Sequence, residues 1–141
     1  MSTLLDTNVL SELLRAQPER AVLAWFAQRA TDSLFVSAVT QAEMLLGARF
    51  LPSSKRRQQL ESALDTMFRE DFAGRVLPFD SAAASAYAAV VATRRRTGRP
   101  ISQFDAQIAA IAISRRARLA TRKASDFEEC GLPLTNPWST K

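Results

Sequence analysis

Apolar and polar positions alternate along this chain between two regimes. Short apolar, β-type runs occur at Thr3–Asp6, Leu34–Ser37, Arg75–Phe79 and Arg118–Thr121. Longer stretches with helical spacing separate them: Asn8–Ala16, Pro18–Ala30, Thr40–Phe50, Ser54–Phe72, Ser81–Thr97 and Ser102–Arg115. Strands that alternate with helices predict an α/β fold with a mostly parallel sheet and covering helices. Pro18 suits the first turn of a helix. Pro52 and Gly98-Arg99-Pro100 suit helix ends, Asp80 suits the cap before Ser81, and Asn136-Pro137-Trp138 suits a short edge segment.

Length and composition narrow the class. At 141 residues the chain fits one domain, read as 1–141, with no repeat or linker. Cys130 is the sole cysteine, so no intrachain disulfide forms, in keeping with a reducing compartment. The N-terminus lacks a signal-peptide pattern. The apolar stretches Ala82–Ala92 and Ala106–Ile113 fall short of the ~20 residues of a membrane span. The expectation is a soluble, cytoplasmic protein that does not engage a membrane. Net charge is +5, and it is unevenly placed: Arg94–Lys123 holds nine basic residues and one acid. Such an excess favours a polyanion, with Arg94, Arg95, Arg96, Arg99, Arg122 and Lys123 as candidate phosphate contacts. Phe104 is the only aromatic residue there, which argues against a base-stacking platform.

With no histidine in the chain, acid–base or metal chemistry falls to carboxylates, hydroxyls, amides or Cys130. Asp6 ends the first strand, and Glu43 and Asp105 lie just inside the helices opening at Thr40 and Ser102. In a parallel sheet these positions share the edge at which open α/β proteins bind ligands. Each acid also has a plainer reading. Thr40-x-x-Glu43 and Ser102-x-x-Asp105 match the capping box, and Asp6 suits an Asx turn. Taken together the three favour a shared pocket. Clustered carboxylates repel, a divalent cation removes that conflict, and oxygen-only donors select Mg²⁺ or Mn²⁺. An acidic metal pocket beside a basic segment suits phosphodiester hydrolysis.

The segments Leu4-Leu5-Asp6-Thr7-Asn8-Val9-Leu10-Ser11-Glu12, Val39-Thr40-Gln41-Ala42-Glu43-Met44-Leu45-Leu46-Gly47, Phe104-Asp105-Ala106-Gln107-Ile108-Ala109-Ala110 and Leu119-Ala120-Thr121-Arg122-Lys123-Ala124-Ser125-Asp126-Phe127 resemble the PIN-domain nucleases, in particular the VapC toxins of toxin–antitoxin pairs. The tail Leu134-Thr135-Asn136-Pro137-Trp138 is similar to the FitB-like branch. The resemblance implies a three-layer α/β/α sandwich and a Mg²⁺- or Mn²⁺-dependent ribonuclease, with Asp6, Glu43 and Asp105 as metal-site acids and Asn8 and Thr121 as supporting groups. The family pattern often carries Asp or Asn where this chain has Lys123. Asp126 is the substitute fourth acid, and a helix cap is its plainer reading. Lys123 instead suits a substrate phosphate or the charge of a second metal. The resemblance further implies a homodimer, an RNA substrate and a VapB-like antitoxin.

Trp25 and Phe26 sit on a helix apolar around most of its circumference, which suggests that one of them meets a partner. Helix Ser81–Thr97, rich in alanine with Tyr87, Val90 and Val91, suggests close packing across a two-fold contact. Two rivals remain: a PIN-like binding or regulatory module that no longer cleaves, and a haloacid-dehalogenase-type phosphatase. The phosphatase pattern expects a second Asp where this chain has Asn8.

Overall fold

The computed structural model describes residues 1–139. Five strands, β1 (Thr3–Leu5), β2 (Leu34–Ser37), β3 (Val76–Leu77), β4 (Arg118–Ala120) and β5 (Leu134–Thr135), form one sheet in the order β3-β2-β1-β4-β5. Every pairing is parallel, with Thr3 opposite both Leu34 and Arg118. The helices are α1 (Thr7–Leu13), α2 (Arg20–Ala27), α3 (Ala38–Arg49), α4 (Lys55–Thr66), α5 (Ser81–Arg96) and α6 (Gln103–Ser114).

The period-two geometry of a strand sends neighbouring side chains to opposite faces. Leu5 joins Val9, Leu10, Trp25, Val36, Leu64 and Phe68 on one side. Leu4 joins Ile108, Ile111, Leu119 and Phe127 on the other. These two cores give the three-layer α/β/α sandwich expected from the sequence. β1 is central, so Asp6, the residue after it, emerges in the middle of the strand C-terminal edge.

Several boundaries differ from the sequence pattern, each for a local reason. α3 begins at Ala38 rather than Thr40, because the Ser37 hydroxyl caps it by accepting from the Thr40 N–H at 3.0 Å. The long helix expected over 54–72 is α4, followed by a π-type turn at Met67–Asp71 that tucks Met67 and Phe68 into the core. The edge strand is Leu134–Thr135, not the Asn136-Pro137-Trp138 segment. There the Asn136 side chain accepts from the Trp138 N–H at 2.9 Å and turns the chain.

Trp25 and Phe26 both face one core: Trp25 is buried, Phe26 is half-buried, and their rings meet edge-on at 5.1 Å. The premise that the two cannot share one core is therefore corrected, while Phe26 keeps part of its ring on an apolar groove. Val90 is likewise buried within the protomer, and Tyr87 packs edge-on against Phe79 at 5.8 Å. The outward face of α5 is made instead of small residues, among them Ala82, Ser85, Ala88 and Ala89. No helix among the described residues is long and apolar enough to cross a membrane.

Candidate functional site

Asp6 stops β1 and starts α1. Its Oδ1 accepts the Thr7 N–H at 2.8 Å, the cap that opens the helix. Asp6 thus caps α1 through the N–H of the very next residue rather than closing an Asx turn, which would reach two residues on, and Oδ2 is left for other work. Oδ2 accepts from the Thr121 hydroxyl at 2.8 Å and from the Asn8 side-chain amide at 3.2 Å. Asn8 Oδ1 in turn accepts the Arg122 N–H at 3.1 Å, and Thr121 Oγ1 accepts the Lys123 N–H at 3.0 Å. Two segments more than a hundred residues apart are thus tied through one carboxylate.

Asp6 is only 2% exposed. Burial raises its pKa above the usual aspartate value, against the pull of Thr121 and the Thr7 amide. Asp105 pushes it further in the same direction, while Lys123 opposes. Asp105 sits in the first turn of α6, where the Ser102 hydroxyl accepts its N–H at 3.2 Å. That is the serine half of the capping box expected there. The Asp105 carboxylate, 16% exposed, lies 3.8 Å from the Lys123 ammonium.

Glu43 does not close a capping box, since Ser37 and not Thr40 caps α3. Its Oε1 accepts from the Thr7 hydroxyl at 2.7 Å, and the Thr40 hydroxyl stands 2.9 Å from that of Thr7. Because Thr7 donates to Glu43, Thr40 is the donor to Thr7. The relay Thr40–Thr7–Glu43 is not foreseen from the sequence. Its one signal there is a hydroxyl directly after the strand-end aspartate.

Asp126 is exposed, in a 3-10 turn at Ala124–Phe127. With Asp105, Ser102 and Arg94 it lines a cavity of about 220 Å³. Asp6, Asn8 and Thr121 thus form one bonded network, Asp105 and Lys123 join it electrostatically, and Glu43 and Asp126 flank it.

The basic segment divides. Arg95, Arg96 and Arg122 are exposed, and the Arg122 guanidinium lies 4.9 Å over the Trp138 ring. Lys123 is half exposed. Arg94 is not available to a phosphate, which corrects that expectation. It is 4% exposed, with Nε donating to the Arg99 carbonyl at 2.5 Å and Nη1 to those of Asp126 at 2.8 Å and Glu128 at 3.1 Å. Arg99 is also largely engaged, bonding the Glu128 carboxylate at 3.3 Å and the Ser125 carbonyl at 3.2 Å. Both arginines brace the turn that carries Lys123 and Asp126.

The groups around Asp6 able to ligate a cation, the Asp6 and Asp105 carboxylates and the Thr121 hydroxyl, are oxygen donors, which fits a hard cation such as Mg²⁺ or Mn²⁺. A cation there would relieve the mutual repulsion of Asp6 and Asp105. Among the described residues no group of three or more Asp, Glu, His or Cys side chains is arranged to hold a metal ion.

The sandwich, with an acidic centre on its strand C-terminal edge, matches a known class. A PIN-domain family model matches residues 3–130, and the chain belongs to that family. It is 43% identical over 134 residues to the VapC ribonuclease Y4jK of Sinorhizobium fredii, covering 95% of this chain and 96% of the relative. It is 38% identical over 135 residues to the toxin FitB of Neisseria gonorrhoeae, covering 96% and 97%. A solved structure of FitAB bound to an IR36 DNA fragment superposes with a TM-score of 0.92 at 37% identity, covering 99% of this chain and 97% of the other.

Proposed function

We propose that this chain is a metal-dependent endoribonuclease of the VapC type, the toxin of a toxin–antitoxin pair. The network that ties Asp6 to Thr121 and Asn8 beside Asp105 carries this reading. It keeps a buried carboxylate at a sheet edge, where carboxylates are otherwise costly. Asp6 and Asp105 would hold Mg²⁺ or Mn²⁺, with Glu43 beside them. When bound, such an ion lowers the pKa of a water and neutralises charge on the phosphodiester. Thr121 and Asn8 orient Asp6. The Thr40–Thr7 relay holds Glu43 at a set distance from α1, positioned to accept a proton from an attacking water. Asp126 stands as the substitute fourth acid, near Asp105. Lys123, Arg122, Arg95 and Arg96 supply positive charge for the RNA backbone.

Wild-type protein is expected to cleave structured RNAs in Mg²⁺ or Mn²⁺ and to be silent in EDTA. Asp105→Asn protein should be silent in all three. Cleavage that survives EDTA would remove the metal from the mechanism. Retained binding with no cleavage of any RNA by wild type would favour the regulatory module instead.

The exposed arginines have their own test. Replacing Arg95 and Arg96 with alanine should weaken binding of an uncleavable RNA. It should also flatten the dependence of log K on log salt by about 0.7 for each single-strand phosphate that is no longer neutralised. The measurement is an affinity series between low and physiological salt. An unchanged slope would mean that α5's end does not meet the backbone.

For the antitoxin, the supporting surface is an apolar groove of about 790 Å³ between α1, α2 and α4, lined by Leu13, Leu14, Phe26, Leu34, Met67 and Phe72. Leu14 is shared with a second apolar pocket, of about 340 Å³, that reaches Thr7 and Glu43. An apolar segment of a VapB-like partner laid along the groove would therefore end beside the candidate centre, coupling docking to inhibition. A homodimer is proposed across the small-residue face of α5, where side chains permit close approach.

A further inference from the structure

Lys123 stands where the candidate centre would otherwise be most acidic. Its ammonium is 3.8 Å from Asp105 Oδ2, and its charge is also felt at Asp6. Its backbone is not free to drift. The Lys123 N–H donates to Thr121 Oγ1, and that hydroxyl donates to Asp6 Oδ2. The turn that follows is braced by Arg94 on the Asp126 and Glu128 carbonyls and by Arg99 on the Ser125 carbonyl. A long, flexible side chain thus springs from a rigid root, with half of its surface still open to solvent. Two carboxylates and one ammonium thus act on one another electrostatically. The ammonium already satisfies Asp105, so a second divalent ion on that side would meet a like charge a few ångström away.

We propose that Lys123 takes the place of a second metal ion: it pairs with Asp105 at rest and binds a non-bridging oxygen of the RNA phosphodiester when substrate is present, so that the centre holds a single divalent ion. An ammonium suits this exchange. It is a compact point charge with three donors on a mobile stem, able to pass from a carboxylate to a phosphate a short distance away. The proposal rests on the metal-nuclease reading above, and it makes a claim about ion number that the reading alone does not.

The test is Mn²⁺ titration of the full chain, read by calorimetry and by the electron paramagnetic resonance of free Mn²⁺, alongside steady-state cleavage. Wild type is expected to bind one Mn²⁺. Lys123→Met should still bind one, roughly tenfold more tightly once the nearby like charge is gone. Its KM for RNA should rise about tenfold without the charge-assisted hydrogen bond to phosphate. Lys123→Asp should bind two. Lys123→Arg, which keeps the charge, should bind one ion with near wild-type affinity. Circular dichroism checks that each variant is folded, as a half-exposed side chain leads one to expect. Two Mn²⁺ ions on a wild type that cleaves RNA would overturn this proposal alone. So would a Lys123→Met protein with unchanged Mn²⁺ affinity and KM. A wild type that neither binds Mn²⁺ nor cleaves any RNA would overturn the metal-nuclease reading, and this proposal with it.

Discussion

Asp6→Asn should abolish RNA cleavage, by about a thousandfold or more, while leaving the protein folded. The loss follows from removing the one carboxylate that the centre is built around, at about 4 kcal/mol of transition-state stabilisation. The survival of the fold follows from the hydrogen bonds. An asparagine Oδ1 still accepts the Thr7 N–H that caps α1. Its amide then faces Thr121 Oγ1, which can accept, and the Asn8 amide, which cannot. The Asn8 amide and the Thr121 hydroxyl proton lose their acceptor, and the cost of a buried charge disappears.

The pH dependence supplies the sign. Burial raises the Asp6 pKa in the folded protein above its unfolded value. The folded state therefore binds more protons between the two values, and stability falls as pH rises through that window, staying level above it. Above that window the ionised Asp6 is a net liability. The variant's unfolding free energy should lie within about 1 kcal/mol of wild type. Its loss of stability on raising the pH from about 4 should be smaller. Urea melts at several pH values and single-turnover cleavage assays read the two effects separately. A variant that cleaves at the wild-type rate would remove Asp6 from the chemistry.

Arg94→Met should be the most damaging change in the basic segment, and its effect should be on stability before RNA. The side chain is buried, and its guanidinium serves the carbonyls of Arg99, Asp126 and Glu128 as well as the Cys130 sulfur at 3.4 Å. Methionine fills much of the volume but offers no donor, so backbone acceptors are left buried and unpaired. Each costs about 1–3 kcal/mol, and together they should lower stability by about 3 kcal/mol. For a domain of this size that corresponds to a melting temperature lower by about 10 °C. Lysine should rescue little, because an ammonium cannot reproduce the planar fork of donors. Thermal melts of Arg94→Met, Arg94→Lys and Arg95→Ala, the last near wild type, decide the matter. A melting temperature unchanged in Arg94→Met would mean that the clasp contributes little.

The sandwich is legible in the sequence because its signal is periodic and local. Leu4-Leu5, Leu34–Val36 and Leu119-Ala120 are too apolar and too short for anything but buried strands, and the stretches between them carry helical spacing. What local pattern cannot supply is the exact cap. Ser37 and Thr40 are both good N-cap residues, and only the strand geometry at Ser37 chooses between them. That choice moves Glu43 one turn deeper into α3 and frees it from the capping box. The arginines are ambiguous for a similar reason. Charge in a sequence looks alike whether a side chain points to solvent or threads beneath a turn, and Arg94 and Arg95 differ only by about a hundred degrees of helix rotation. Trp25 and Phe26 share one core because Trp25 is buried in it and Phe26 packs edge-on against Trp25.

By itself the sequence determined which segments are strand and which helix, and which acids lie at strand ends and helix starts, since these depend on neighbours within a few residues. The tertiary structure decided which oxygens meet. Asp6 bonds Thr121 across 115 positions, Thr7 bonds Glu43 across 36, and Lys123 rather than another acid faces Asp105. Such contacts depend on strand order and register, and these are set by burying two opposite faces of one sheet at once. No window of sequence contains both partners of such a bond, so their meeting was settled only when the chain had packed.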